Sequence, residues 1–506
     1  MTKYFANFST TKILLKAIEV KYVNFNNYLK KIKSLAYNKI MKVKIKNIID
    51  NDLVKIFGKE NVLTSEPELF AYSHDCSNIK SENAHLPLAV VFPKNVYQVQ
   101  KLVLLANERN LSIIARGVGT NHVGSCVCLA DNTVIVSFVK MDRILKINRI
   151  NLTVEVEPGV VVEDLQKELE NQDLFFPPDP SNQKVSLVGG AIAQSAGGPR
   201  GFKYGTVKDY VLNLEVVLPN GEIIETGKNC HKNVEGYNLT QLFVGSEGTL
   251  GIITKATLKV IPKVEAKNVI LVYFETIDEA ANAVCSIISH HIVPSVLELM
   301  DKNTLETIER FKPSGLKTQF EACLLLEVDG FASTIVQQCE TVKTLCLENN
   351  AKDVIISKND KEKEKIWIAR RSSFACCTKL APNVIADDFV VSRELIPLAV
   401  KTIQNICKKH NIIVCIMGHI GDGNIHPNYA LDLNDKNEIE RFNACRKEII
   451  YEIIKLKGSI TGEHGIGIEK AKYIEKSVGS SNIKLMKLIK NVFDPKNIMN
   501  PHKIFE

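Results

Sequence analysis

His419 and His426 frame the stretch IGDGNI, a glycine-rich turn with an aspartate and an asparagine, and apolar strand-like residues flank it on both sides. A hairpin closing on that turn sets the two imidazoles across from one another, at a separation suited to one metal ion. Two hydrogen-bonded histidines beside a tight turn satisfy the same spacing, and spacing alone does not separate the readings. Glu463 and His464 lie between glycines in TGEHGIG. A carboxylate completing a His₂Glu set leaves a zinc ion one open position, the arrangement of a catalytic rather than a structural site.

A different chemistry is written in the glycines and prolines. The stretch Phe176–Gly205 carries Pro177, Pro178 and Pro180 and two Gly-Gly pairs, Gly189-Gly190 and Gly197-Gly198. Proline fixes the chain and removes donors, while glycine lets backbone approach a ligand closely. No ordinary core helix or strand needs both so densely. A large, flat, polyanionic ligand held against main chain does, which points to a dinucleotide. Between Ser181 and Gly251 lie 12 of the 27 glycines, ending in VGSEGTLGIIT, where main chain can run along a planar ring system.

The loop ARGVGTNHVGS follows a strand, as phosphate loops do, but its spacing is G-x-G-x-x-x-x-G and the chain returns to strand rather than helix. A Rossmann fingerprint needs a helix N-terminus at the pyrophosphate, so that reading fails. The lysine-bearing phosphate loop of nucleotide hydrolases is absent as well. What remains is a nest of backbone N–H groups able to hold phosphate without a helix.

The elements that must position these residues alternate in a mixed α+β pattern. Helices are expected over Ile45–Phe57, Val96–Asn107 and Val162–Gln172. Strands are expected at Ser112–Ala115, Thr133–Phe138, Thr153–Val156, Leu214–Leu218, Ile223–Thr226 and Gly251–Val260, with a further strand in LPLAVVFPKN. Pro262 to Ala266 reads as a boundary, beyond which glycine is scarce and helices Ile277–His290 and Ser333–Asn349 alternate with the strand Cys323–Val328. The glycine and proline chemistry returns from about Gly458. The expected organisation is a basic tail over 1–40, a cofactor domain over 41–263, a second domain over 264–457, and a closing segment over 458–506.

The net charge of +7 is contained in residues 1–40, which hold eight lysines and one acid, Glu19. The rest is balanced, so nucleic acid is not a partner to expect. That tail fits a disordered extension, a start upstream of Met41, or an organelle transit peptide, although it has no arginine. No apolar run reaches the length of a spanning helix, so any membrane contact is peripheral or made through a partner. The 13 cysteines include no C-x-x-C, which suggests packed, reduced thiols and leaves the chain without a cysteine-held cluster.

ARGVGTNHVGS, VEPGV, FFPPDPSNQ, GGAIAQSAGGPRGFKYG, LPNGE, KNVEGYNLTQLFVGSEGTLGIIT, GHIGDGNIHP, TGEHGIG and FDPKNIMNP occur in the order of one flavoenzyme family. From about residue 50 onward the chain resembles the FAD-linked D-2-hydroxy-acid dehydrogenases: glycolate oxidase FAD-binding subunits, D-lactate dehydrogenases and D-2-hydroxyglutarate dehydrogenase. The resemblance implies an FAD-binding domain of the vanillyl-alcohol-oxidase type, two α+β subdomains holding FAD between them, with an α+β cap domain over the flavin. It implies FAD contacts from Arg116, Gly117, Gly119, Thr120 and Asn121, from Pro178, Asp179 and Ser181, and from Gly189, Gly190, Gly197 and Gly198. Tyr204, Gly205, Gly248 and Ile253 line the rest, and Asn500 lies where relatives bring the C-terminus back to the flavin. Gln194-Ser195 stands where relatives often have Glu-Asn. His122 does not sit where covalent flavoproteins place their histidine, so non-covalent FAD is implied.

His419, His426 and Glu463 match the zinc ligands of the D-2-hydroxyglutarate branch, and His464 matches its general base. Arg370, in WIARRSSF, aligns with the substrate-binding arginine, and a guanidinium suits a carboxylate. Lys379 falls where glycolate and lactate relatives carry a second cation. The resemblance implies oxidation of a small 2-hydroxy acid, glycolate or D-lactate, by hydride transfer to flavin N5. Electrons then pass to a quinone, cytochrome or iron–sulfur partner, alongside other oxidase subunits, in the cytoplasm, at the inner membrane, or in a mitochondrion. An alkylglycerone-phosphate synthase of the same fold is the competing enzyme, and a catalytically silent flavoprotein subunit the competing class.

Overall fold

The computed structural model describes residues 50–79 and 84–505. The basic segment 1–40 therefore lies outside the described residues, as do the first residues of the helix expected over Ile45–Phe57. The described part of that helix runs over 50–57 and stops before Gly58.

Near-continuous apolar runs build the first sheet. Ala89–Val91 and Thr133–Ser137 are buried at every residue, as strands covered on both faces must be. Ala89–Val91 and Ser112–Arg116 both pair parallel with Thr133–Ser137, and Val62–Leu63 adds an antiparallel edge. The helix Val96–Arg109 makes the crossover. The Asn95 side chain caps it by accepting the Gln98 N–H, and Val99, Leu102, Val103 and Ala106 fall on one buried face. It ends where Asn110 turns left-handed at φ 53°.

A second, antiparallel sheet has the order Ile144–Asn148, Thr153–Val156, Ile252–Lys259, Val211–Val217 and Ile223–Glu225. The helices Val162–Glu170 and Val188–Gln194 share its core. The second of these lies inside the glycine–proline stretch Phe176–Gly205, which is thus not loop throughout. Val188, Ala191 and Ile192 have helical spacing and are buried, so packing organises one face while Gly189 and Gly190 occupy the first turn.

The large sheet contains eight strands, ordered Asp353–Ile356, Ala266–Phe274, Ala322–Gly330, Val296–Asp301, Ile413–His419, Asn424–Leu431 and Asn383–Ala386, with Phe389–Val390 also on Asn424–Leu431. Alternation divides its two faces. Ile270, Val272 and Phe274 face the helices Ile277–Ser289, Ala332–Glu348, Ile396–Lys409 and Lys436–Lys455. Val269, Leu271 and Tyr273 face the helices Lys302–Phe311 and Asp360–Cys377. The C-terminus then returns to the first sheet: the Ile113 N–H donates to the Ile498 carbonyl at 2.7 Å and the Asn500 N–H to the Ile113 carbonyl at 2.8 Å. All 13 cysteines are free thiols, most of them buried. Among the described residues no helix is long and apolar enough to cross a membrane.

Candidate active site

The hairpin expected around IGDGNI is present, formed by Ile413–His419 and Asn424–Leu431. Its register pairs His419 with Asn424 and His426 with Met417, so the histidines are diagonal neighbours on one face rather than directly opposed. Their rings meet edge to face with centroids 5.0 Å apart. Glu463 arrives from a distant loop, with Oε1 at 3.4 Å from His419 Nε2 and 3.3 Å from His426 Nε2. Ligand atoms of all three lie within 4.8 Å of one another.

Behind this triad stands Glu298, fully buried in the neighbouring strand Val296–Asp301. One of its carboxylate oxygens holds His419 Nδ1, and the other accepts Arg370 Nε at 2.7 Å and pairs with Nη2. The Glu298 contact on Nδ1 directs Nε2 into the triad, where it has no hydrogen-bond partner. Burial opposes charge on His419, yet Glu298 and Glu463 outweigh it and raise its pKa well above the usual imidazole range. Burial likewise opposes charge on Glu463, but His419 and His426 hold it well below the usual carboxylate range. Two imidazoles, a converging carboxylate and an outer carboxylate that sets the tautomer make a donor set that fits a divalent ion.

The loop bearing Glu463 and His464 is shaped by Asp388, which is completely buried. Its Oδ2 accepts the N–H groups of Gly462, Glu463 and His464 at 2.6, 2.7 and 3.0 Å, while Lys470 Nζ reaches Oδ1 at 2.6 Å. Burial opposes the Asp388 charge, but His464 and Lys470 hold its pKa far below the usual range. The His464 ring stacks on His426 at 5.4 Å and tilts against His122 at 5.2 Å. Burial, with His426 nearby, lowers the His464 pKa despite the pull of Asp388.

These groups open on a cavity of about 760 Å³ that they share with the glycine loops. Arg116, Gly117, Gly119, Thr120, Asn121, Asp179, Ser181, Gly189, Gly190, Gly197, Gly248 and Ile253 line it together with Arg370, His419, His426, Glu463 and His464. Arg116 is buried, yet its Nε and Nη1 have no partner. Unpaired guanidinium donors beside a loop of free backbone N–H groups fit an anion such as a pyrophosphate. Gly119 is needed there, since a Cβ would fall 2.1 Å from Arg116 Nη2. A Cβ on Gly190 would meet nothing within 4 Å, as expected where a ligand and not protein covers the chain.

Other expected contacts are placed differently. Pro178, Gly198, Tyr204, Gly205 and Asn500 are not on the cavity wall. Tyr204 donates its hydroxyl to Asp329 at 2.7 Å. Asn500 donates to the Ser125 and Glu247 carbonyls at 3.0 and 2.7 Å, and so supports two residues that do line the wall. Lys379 is not brought to the cavity: it follows the last turn of Asp360–Cys377, is exposed, and sets Nζ over the Phe311 ring at 5.6 Å. Arg370 reaches the wall, but Glu298 occupies its Nε–Nη2 edge. Glu298, Asp388 and Glu247 were not singled out by residue reasoning. Glu247, buried, accepts from Ser125 Oγ, Ile466 N and Gly467 N and ties the cofactor loops to TGEHGIG.

Comparison with known proteins agrees with this assembly. Residues 87–227 match the family described as FAD binding domain, and residues 263–504 that of FAD linked oxidases, C-terminal domain. The chain is 41% identical to glycolate oxidase subunit GlcD of Bacillus subtilis (strain 168), across 90% of this chain and 96% of the relative. It is 34% identical to the D-lactate dehydrogenase of Anaerostipes hadrus, across 83% of this chain and 89% of that protein. The solved structure of p-cresol methylhydroxylase with substrate bound shares the fold, with a TM-score of 0.78 at 18% identity over 92% of this chain and 97% of that one. The fold is that of the vanillyl-alcohol-oxidase type, with FAD-binding and cap domains. By its two domains and these relatives, the chain belongs to the FAD-linked D-2-hydroxy-acid dehydrogenases and is an FAD-dependent enzyme of hydroxy-acid oxidation.

Proposed function

We propose that the chain oxidises glycolate or D-lactate to the 2-oxo acid and passes the electrons to a quinone, a cytochrome or an iron–sulfur partner subunit. The observation that carries this reading is the convergence of His419, His426, Glu463 and His464 on one cavity with the cofactor loops. Bound without a covalent link, FAD supplies the hydride acceptor. His419, His426 and Glu463 would hold a zinc ion, which would supply positive charge favouring loss of the hydroxyl proton.

The chain's own residues do the rest. Burial lowers the His464 pKa and so disfavours the imidazolium, which suits the ring to accept the hydroxyl proton as C2 gives up hydride. Asp388 fixes the backbone on which both His464 and Glu463 stand. Glu298 orients Arg370 through its Nε–Nη2 edge, while Nη1 donates to Ser373 Oγ at 3.2 Å and to Met417 Sδ at 3.5 Å, so a substrate carboxylate would replace those partners at Nη1. Lys379 has no role in this scheme.

Anaerobic bleaching of the flavin by glycolate, D-lactate, L-lactate and D-2-hydroxyglutarate tests the reading. Reduction by glycolate or D-lactate is expected, whereas reduction by L-lactate alone, or by none of the four, overturns it. Metal content of His426→Ala against the parent tests the ion, and unchanged content removes it from the scheme.

A further inference from the structure

Beside the base and the arginine, the cavity is walled by rings. Phe374 follows Arg370 by four residues in the helix Asp360–Cys377, so both side chains fall on the helix face that meets the cavity. The Phe374 ring lines the cavity and is 38% exposed. It meets the His122 ring edge to face at 6.0 Å, and His122 in turn lies 5.2 Å from the ring of His464. Burial, with His464 nearby, lowers the His122 pKa to about 4, so this neighbour is an uncharged ring.

The cations that could receive a second substrate carboxylate are engaged elsewhere. Lys379 is exposed and sits over Phe311. On the cavity wall, Arg200 pairs with Asp179 at 3.5 Å, Lys267 with Glu327 at 3.4 Å, Lys363 with Asp360 at 2.9 Å and Arg371 with Glu364 at 3.3 Å. Arg116 keeps free donors, but its guanidinium lies against Gly119 in the glycine loop. A carboxylate pressed against Phe374 and His122 is therefore desolvated without a counter-charge, which is costly.

We propose that Phe374, backed by His122, is the specificity-determining wall of the site: it receives the substituent on C2 of the hydroxy acid, admits hydrogen or a methyl group, and refuses a longer or charged chain. With the hydroxyl at His464 and the carboxylate at Arg370 Nη1, Phe374 is one helical turn from the arginine and one ring removed from the base. The assignment rests on the proposed oxidation of a small 2-hydroxy acid and names the residue that limits the size and polarity of that acid. An aromatic ring gains contact from a methyl group, but it offers a carboxylate no hydrogen bond.

Second-order rates of anaerobic flavin reduction by glycolate, D-lactate, D-2-hydroxybutyrate and D-2-hydroxyglutarate test it in the full flavoprotein. In Phe374→Ala the rate with D-2-hydroxybutyrate relative to glycolate should rise about tenfold or more, the scale on which an apolar pocket discriminates a methylene. Phe374→Lys should raise the rate with D-2-hydroxyglutarate relative to D-lactate by about tenfold, by giving the second carboxylate a partner. Ratios taken within one preparation cancel any loss of folded protein, so a merely structural role leaves them unmoved. Reduction by glycolate with an unchanged ratio in Phe374→Ala overturns this assignment alone, as does a parent enzyme reduced as fast by D-2-hydroxyglutarate as by D-lactate. A parent flavin that none of these acids reduces overturns the proposed oxidation, and the wall with it.

Discussion

Asp388 and Glu463 are joined through backbone: the Asp388 carboxylate accepts the Glu463 N–H at 2.7 Å, and the same oxygen accepts the N–H of His464. One buried charge thus sets the direction of both a candidate metal ligand and a candidate base. In Asp388→Asn one oxygen remains for these donors, but the amide faces Lys470 with donors of its own. Turnover should fall about 10- to 100-fold, the range for lost supporting bonds around a metal ligand. Flavin content should hold and KM should move little. A variant with parental turnover would contradict this role.

Glu298→Gln should weaken metal binding about 10- to 100-fold, because the amide no longer fixes the His419 tautomer as a carboxylate does. Titration of the metal-stripped enzyme with zinc reads this directly. Equal affinity for variant and parent would show that Glu298 only balances the charge of Arg370.

Gly197→Ala puts a methyl group where an ideal Cβ lies 2.5 Å from Glu463 Oε2. The carboxylate has to swing away from the two histidines, so metal content and activity should drop together. Thermal stability should change far less, since the neighbour displaced is the end of a side chain. Retained metal in Gly197→Ala would show that Glu463 is not a ligand.

Asp301 caps the helix Lys302–Phe311, with Oδ1 accepting the Thr304 and Ile416 N–H groups at 2.9 and 3.0 Å. Burial outweighs those bonds and raises its pKa from 3.8 to about 6. Between these values the folded protein keeps a proton that the unfolded chain has released, so this group makes stability fall as pH rises through that window and leaves it lower above. Asp301→Asn keeps the acceptor and removes the charge. Its stability relative to the parent should rise from pH 4 to pH 6, by at most about 3 kcal/mol at about 1.4 kcal/mol per unit. Parallel stability–pH curves would refute the assignment.

Much of this was legible in residue order. The helix Val96–Arg109 and the strand Thr133–Ser137 announce themselves by periodicity, and the glycine loops by a density that packing alone does not need. The hairpin was legible from IGDGNI, but its register was not, since a diagonal and a direct pairing put the same two histidines on one face. Glu298 and Asp388 were hidden for a different reason. Glu298 sits in an apolar strand and Asp388 in the two-residue break between the strands Asn383–Ala386 and Phe389–Val390, and each acts through groups far away in sequence, His419 and Arg370 for one and the loop 461–464 for the other. No local pattern marks such residues. Lys379 shows the opposite failure: resemblance to the glycolate and lactate relatives implies a second cation near the site, while the end of a helix turns it out to solvent.

Glu298 grips His419 with one oxygen and Arg370 with the other, and this shared hold makes the two ends of the site thermodynamically reciprocal. An anion that draws Arg370 away leaves more negative charge on the carboxylate behind His419, which strengthens that imidazole as a donor to a cation. A cation that draws electrons from His419 tightens its bond to Glu298 and loosens the grip on Arg370. Substrate anion and metal cation should therefore bind with positive cooperativity, each raising affinity for the other by the same factor.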